Sequence, residues 1–375
     1  MIIEAKRFIK NIQQEIENLN LDLSKAFPDH LCYRVATMDE YRLFQVKLSQ
    51  IGQLIIEANV NGRPISTYRL HESLTYNQHE IDIIELPAPK QGTQHETGYE
   101  HIEFVIAESF QTFINRHRLS KQKIGGNVNL NPEMKLDLGF KFGQVKLHYQ
   151  PLDRVIEIEE SCITDIFFDL DGTLINSRET IYLINQKVFS SILNRDISLQ
   201  EIKSKFATEF KKLFELFGIE NYETQQLAMN LWGKIALNYS YDLFADAKEA
   251  LVKLRNYGFN LHIWTARDTE STLMILDNCE IRNIFTSINC NDGITSKPNP
   301  DNIRVNLDSL NKNSYLMVGD SKTDMIAAKN IKAISVAALW DPHIDIDEVI
   351  AHGMDMSFQS LTELANWLIL RKNEV

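Results

Sequence analysis

Residues 165–177 read DIFFDLDGTLINS, and the way this stretch closes decides how the second half of the chain is built. An apolar run, Ile166 to Phe168, ends in two aspartates one residue apart, Asp169 and Asp171, followed at once by Gly172 and Thr173. A short β-branched and aromatic run bounded by turn residues reads as a buried strand. The two like charges at its end are either turn formers or holders of something positive.

Outward from this stretch, strand-like runs at 163–168, 260–265, 285–290, 314–318 and 333–338 alternate with helical patterns. That alternation predicts an α/β unit with a doubly wound, Rossmann-like parallel sheet. The roughly 90 residues between the first two runs are helical in pattern (TIYLINQKVFSSIL, EIKSKFATEFKKLFELFG, ETQQLAMNLWGKIALNY) and too long for one crossover. They predict a helical cap over about 178–243. Ligands of such sheets collect beyond the carboxyl ends of the strands. There the second run ends in Thr265 and Arg267 of IWTARD, and the fourth in Asp320 and Asp324 of LMVGDSKTD; Lys297 of TSKPNPD lies in the loop after the third. Asp169, Asp171, Asp320 and Asp324 at one edge would repel each other unless a divalent cation sat among them, and oxygen-only ligands suit Mg²⁺. A lysine, a hydroxyl and the backbone amides of the Gly172 and Gly319 turns suit a phosphoryl group.

The ordered set DLDGT, a threonine at the second strand end, a lysine before PNPD, and GDSKTD resembles the haloacid dehalogenase-like hydrolase superfamily, the aspartate-nucleophile phosphatases, over about 162–350. The resemblance implies Asp169 as nucleophile, forming an aspartyl-phosphate, and Asp171 as general acid and then base. It implies Thr265 as a holder of a phosphoryl oxygen and Lys297 as the group that neutralises developing charge and orients the nucleophile. Mg²⁺ would be bound by Asp169, the Asp171 carbonyl and Asp320, with Asp324 supporting the shell. Asp171 favours phosphoryl transfer over halide displacement, which needs no acid at that position. The cap resembles that of phosphatases of small phosphorylated metabolites, with Arg178, Lys205 and Lys212 as specificity candidates. Phosphoglucomutase-like phosphoryl transfer uses the same residues and stays open as an alternative.

The first half carries a repeat. HLCYRVA at 30–36 matches HIEFVIA at 101–107 position by position, with short strands separated by turns such as NGRP and IGGN. Each copy is followed by a further strand with a ligand-type residue, Glu85 in EIDIIELPAP and His148 in QVKLHYQPL. His30, Glu85, His101 and His148 would suit Zn²⁺, Fe²⁺, Mn²⁺ or Ni²⁺, with Glu103, two residues beyond His101, able to replace one of them. His71, His79, His95 and His117 read as surface histidines. The repeat resembles the vicinal oxygen chelate (glyoxalase-like) superfamily. DHLCYRV, NGRPI, ELPAPK, GYEHIEFVI and VKLHYQPL resemble its YecM-like branch over about 20–155, which implies an α+β domain of paired βαβββ modules. A metal-dependent isomerase, lyase or dioxygenase in this half is the rival main function.

The boundary falls near PLDRVIEIEES, predicting domains at 1–158 and 159–375. A net charge of −12, from 39 basic and 51 acidic residues without a basic run, argues against nucleic acid and anionic membrane as partners. There is no signal-peptide pattern and no run of 18 apolar residues. Cys32, Cys162, Cys279 and Cys290 are scattered without zinc spacing, which predicts a reducing cytoplasm. The function expected is a Mg²⁺-dependent phosphomonoesterase with a metal-binding domain upstream; the oligomeric state stays open.

Overall fold

The computed structural model describes residues 1–60, 62–90, 92, 95–207, 210–291, 296–307 and 314–374. The chain divides into two compact units, Met1–Ile156 and Glu157–Val375. No helix among the described residues is long and apolar enough to cross a membrane.

The N-terminal unit opens on helix α1 (Ile2–Asn18), which buries Ala5, Phe8, Ile9, Ile12 and Ile16 at helical spacing. Two βαβββ modules follow. The first comprises β1 (Phe27–Arg34), α2 (Met38–Ser49), β2 (Gly52–Val60), β3 (Arg63–Tyr76) and β4 (His79–Pro87). The second comprises β5 (Gly98–Val105), α3 (Phe110–His117), β6 (Lys123–Asn127), β7 (Asn131–Lys135) and β8 (Gln144–His148). Thr37 caps α2 in a capping box with Glu40, and Ser109 caps α3 at the equivalent place in its module. All eight strands form one sheet in the order β2-β3-β4-β1-β5-β8-β7-β6. β1 and β5 meet antiparallel at its centre, and each pairs in parallel with the last strand of its own module. The IGGN stretch is strand β6 rather than a turn. It is an edge strand, where glycine is tolerated. Asn61 of NGRP lies outside the described residues.

The C-terminal unit follows α4 (Leu152–Glu159), inside which the division between units falls. Its strands β9 (Asp165–Phe168), β10 (Asn260–Asp268), β11 (Ser287–Asn291), β12 (Tyr315–Gly319), β13 (Ile334–Ala338) and β14 (Met356–Phe358) make an all-parallel sheet in the order β11-β10-β9-β12-β13-β14. Every residue of β9, β12 and β13 is buried, so both faces are covered. The sixth strand, β14, has three residues, too few to show a periodicity, and the sequence reading missed it. Between β9 and β10 lie the cap helices α5 (Arg178–Leu193), α6 (Leu199–Ser204), α7 (Phe210–Leu216) and α8 (Tyr222–Ala236), then α9 (Ala247–Asn256). The remaining helices are α10 (Thr269–Asn278), α11 (Arg304–Leu307), α12 (Lys322–Ile331), α13 (Ile346–Ala351) and α14 (Leu361–Glu374). The strand order runs outward in both directions from β9, which makes the carboxyl end of β9 the switch point where such sheets bind ligands.

Candidate active site

Asp169 follows β9 directly, and its amide donates to the Val318 carbonyl of β12 at 2.9 Å. This sets it beside the strand that leads to Asp320. Gly172 has φ +78°, and a Cβ there would strike the Asp320 carboxylate; the turn needs glycine for its conformation and for that close approach. Lys297 donates to Asp169 Oδ1 and, at 2.6 Å, to Asp324 Oδ1. The other Asp324 oxygen accepts from the Ser321 amide at 3.1 Å and hydroxyl at 2.7 Å, fixing it at the start of α12. Carboxylate oxygens of Asp169, Asp320 and Asp324 lie within 4.8 Å of one another. Asp171, Thr265 and Lys297 line one cavity with Asp169 and Asp320, so five of the six C-terminal candidates share it and Asp324 stands behind them. Arg267 forks the Asp171 carboxylate, Nε to Oδ2 at 2.9 Å and Nη2 to Oδ1 at 2.5 Å.

Burial pushes the Asp169 carboxyl up to about 7, with Asp324 and Asp171 adding repulsion against the opposing pull of Lys297. Burial, then Asp324 and Asp169, holds Asp320 well above the usual carboxylate range. For Lys297 burial disfavours the ammonium, but Asp169 and Asp324 outweigh it and raise its pKa. For Asp171 burial acts upward, yet Arg267 outweighs it and keeps the group below its ordinary value. Buried carboxylates that resist ionising together, offering only oxygen, fit a hard divalent cation such as Mg²⁺.

The cavity measures about 810 Å³ and runs from the aspartates to the cap, where Ile181, Phe206, Phe210, Leu213, Met229, Trp232 and Leu237 line it. Arg178 also lines it, with Nη2 3.2 Å from Asp320 Oδ2 and 3.5 Å from Asp341 Oδ2. Lys205 and Lys212 do not: Lys205 pairs with Glu201 at 3.1 Å, and Lys212, 60% exposed, lies 3.7 Å from Glu215. The cap cations that do face the cavity besides Arg178 are Lys211 and Lys234. Sequence reasoning assigned no role to Arg267, Lys211, Lys234 or Asp341. Arg267 was readable, because it stands two residues beyond Thr265 on one strand and so shares its face.

In the N-terminal unit the ladder sets Cys32 opposite both Glu85 and His101, His30 opposite Glu103, and Val105 opposite His148. His30, Glu85, His101, Glu103 and His148 therefore share one face of the sheet. The four predicted ligands split into two groups that share His30: His30, Glu85 and His101, and separately Asp29, His30 and His148. The register explains the split. Glu85 pairs with Cys32 as Lys146 pairs with Glu103, so the counterpart of Glu85 in the second module is Lys146, and His148 stands two residues further on. Lys146 donates to Glu103 at 3.0 Å and to Glu133 at 2.7 Å. Two bulges in the β1–β5 ladder, at Asp29 and at Glu100, let each acid lie beside the histidine that follows it. Asp29 reaches His30 Nδ1 at 2.7 Å and Glu100 reaches His101 Nδ1 at 3.0 Å. Burial disfavours charge on His30, but Glu103 and Asp29 outweigh it and raise the ring to about 10; burial lowers His148. Both ring nitrogens of His148 are buried without a hydrogen-bond partner, while His101 Nε2 faces Glu103 Oε1 at 3.0 Å. Carboxylates on Nδ1 with Nε2 turned inward suit histidines that bind a transition metal.

Two family models match the chain, one described as YecM protein over residues 1–159 and one as haloacid dehalogenase-like hydrolase over 166–338. The chain is 33% identical to protein YecM of Escherichia coli over 106 residues, 28% of this chain and 55% of that protein. It thus spans little more than half the length of the first curated relatives it matches. It is 26% identical to pyrophosphatase PpaX of Listeria monocytogenes over 184 residues, 48% of this chain and 84% of that one. In fold it is similar to the crystal structure of a predicted phosphatase from Clostridium acetobutylicum, with a TM-score of 0.51 and 22% identity, covering 56% of this chain and 100% of that one.

Proposed function

From the premise that the chain carries an N-terminal YecM domain and a C-terminal haloacid dehalogenase-like hydrolase domain, we propose that the C-terminal domain is a Mg²⁺-dependent phosphatase that hydrolyses a small phosphomonoester. The observation that carries this is the convergence of Asp169, Asp171, Thr265, Lys297 and Asp320 on one cavity at the switch point of the sheet. The similarity to a pyrophosphatase supports phosphoryl hydrolysis as the reaction class.

Asp169, oriented by Lys297, attacks phosphorus in line; the new Asp–O–P bond forms as the bond to the leaving oxygen breaks. Asp171, ionised while Arg267 forks it, takes up a proton from water as the fork yields to the substrate and gives it to that oxygen, then takes one from the water that cleaves the aspartyl-phosphate, returning Asp169 and free phosphate. The Thr265 hydroxyl and the Lys297 ammonium hold phosphoryl oxygens as charge builds on them. Asp169, the Asp171 carbonyl and Asp320, with Asp324 behind them, would hold Mg²⁺, which supplies neutralisation of that charge when bound. The four cysteines are free, which supports a reducing cytoplasm as the setting.

Turnover of an aryl phosphate with Mg²⁺ tests the reading. Activity is expected with Mg²⁺, lost in EDTA, and lowered at least about 10³-fold by Asp169→Asn. Activity that survives both treatments sinks the mechanism.

The acid–histidine dipeptides Asp29–His30 and Glu100–His101 favour a second reading beside the first. In it the N-terminal domain binds Zn²⁺, Fe²⁺, Mn²⁺ or Ni²⁺ through His30, Glu85 and His101, with His148 adjacent. Elemental analysis of the full chain after exposure to these ions tests it: one bound ion is expected, and none in His30→Ala.

A further inference from the structure

We propose that the C-terminal site takes a phosphomonoester whose alcohol carries a flat heteroaromatic ring, of the size and chemistry of a nucleoside 5′-monophosphate; this rests on the phosphatase reading above. The aspartates open onto a cavity of about 810 Å³, well inside the range of about 300–1,000 Å³ that encloses a drug-sized ligand. Pyrophosphate or a two-carbon phosphocarboxylate would fill a small part of it and leave the rest to water.

The chemistry of the cap wall narrows the class. Phe206, Phe210 and Trp232 line it, and Trp232 is held in place by its Nε1–H donated to Asn185 Oδ1 at 2.9 Å and by an edge contact with Phe210, centroids 5.7 Å apart. A phosphorylated sugar alone would find polar partners such as Asn230, Lys211 and Lys234 but would leave the aromatic carbon of Phe206, Phe210 and Trp232 uncovered. A flat ring would instead stack or meet those rings edge-on.

Arg267 fixes which side of the phosphorus the ring occupies. Its guanidinium forks Asp171, the acid that meets the leaving oxygen, and lies 5.1 Å from the Trp232 ring centroid. The aromatic wall and the proton donor are thus joined through one side chain, so the wall serves the leaving alcohol and not the transferred phosphoryl group. Lys211 and Lys234, on the same cavity, offer hydrogen-bond donors to the ring's carbonyl and nitrogen acceptors.

The full chain with Mg²⁺ is assayed on adenosine and uridine 5′-monophosphates against ribose 5-phosphate, which keeps the sugar and the ester and lacks the base. Pyrophosphate and phosphoglycolate serve as small substrates and acetyl phosphate as a general one. The nucleotides are expected to exceed ribose 5-phosphate in kcat/KM by about tenfold, the effect of stacking one base on an aromatic side chain. Trp232→Ala is expected to lower that ratio about tenfold, and Trp232→Phe to restore most of it. Phe210→Leu, which keeps the volume of the wall, is expected to lower it as well. Calorimetric binding of adenosine 5′-monophosphate to the Asp169→Asn chain, weakened by Trp232→Ala, reads the same contact without turnover. A ratio near one, a preference for pyrophosphate or phosphoglycolate, or a ratio unmoved by both wall variants overturns the ring and leaves the phosphatase standing. Failure to turn over acetyl phosphate or any ester overturns the phosphatase reading and this inference with it.

Discussion

At Asp171 a single side chain settles orientation and charge together. Arg267 is 4% exposed, forks the carboxylate through two nitrogens, and has the Tyr241 and Trp232 rings 4.7 and 5.1 Å from its guanidinium carbon. A lysine reproduces the charge but neither the planar fork nor the stacking. Arg267→Ala strands a half-buried carboxylate, and a loss of about 3 kcal/mol of stability is expected in urea unfolding, with Arg267→Lys intermediate. At this scale the aspartates, Thr265 and Lys297 were readable because each follows or ends a strand-like run whose neighbours run the same way. Arg267 shared the signal of Thr265 through strand alternation and was given no task. Asp341 was missed for a physical reason: it lies past the end of β13 in a WDP turn, and its partner, Arg178, is far away in sequence, on the first cap helix.

Strands carry the next level of information, and here register outweighs composition. The repeat HLCYRVA/HIEFVIA correctly announced two equivalent strands, β1 and β5, but counting residues forward to the next ligand-type side chain matched Glu85 with His148. Ladder pairing instead matches Glu85 with Lys146, and a two-residue slip along a strand keeps the face, so no pattern of burial could have exposed the error. The bulges at Asp29 and Glu100 were also hidden, since alternation would send an acid and the histidine after it to opposite faces. In the C-terminal sheet, β9 and β10 are tied by Asp165, which accepts from Thr164 Oγ1 at 2.6 Å and from His262 Nε2 at 3.0 Å. Burial raises this carboxyl, but the bonds from His262 and Thr164 outweigh it and hold the pKa below its ordinary 3.8. A carboxylate depressed on folding adds stability above its unfolded pKa and loses it as pH falls through the folded value. Asp165→Asn is therefore expected to melt below the wild type at pH 7, by about 2 kcal/mol of stability, and the two melting curves are expected to converge as pH falls below the ordinary carboxylate value of 3.8. Curves that stay equally separated throughout would refute this role for the charge.

Over the whole molecule the two candidate centres differ in donor chemistry, and that difference makes their assignment separable. The C-terminal set is all oxygen, from Asp169, Asp320 and Asp324; the N-terminal set mixes imidazole nitrogen with carboxylate, from His30, Glu85 and His101. Hard Mg²⁺ favours the first, and the transition ions favour sites with nitrogen. The two sets belong to different compact units and share no residue, and sites without shared partners combine to within about 0.5 kcal/mol, roughly a factor of two in a rate. Asp320→Asn is thus expected to abolish Mg²⁺-dependent turnover of an aryl phosphate while the chain keeps its bound transition ion. His101→Ala is expected to lose that ion and hold kcat/KM on the aryl phosphate within about twofold of the wild type. Bound ligand at 100 times its dissociation constant adds about 2.7 kcal/mol to the state that holds it, so the same pair of variants is readable in thermal melts: Mg²⁺ no longer protects the first, and the transition ion no longer protects the second. A His101→Ala chain that loses phosphatase turnover along with its metal would show one coupled function where two sites are drawn, and would make the N-terminal metal a regulator of the C-terminal reaction.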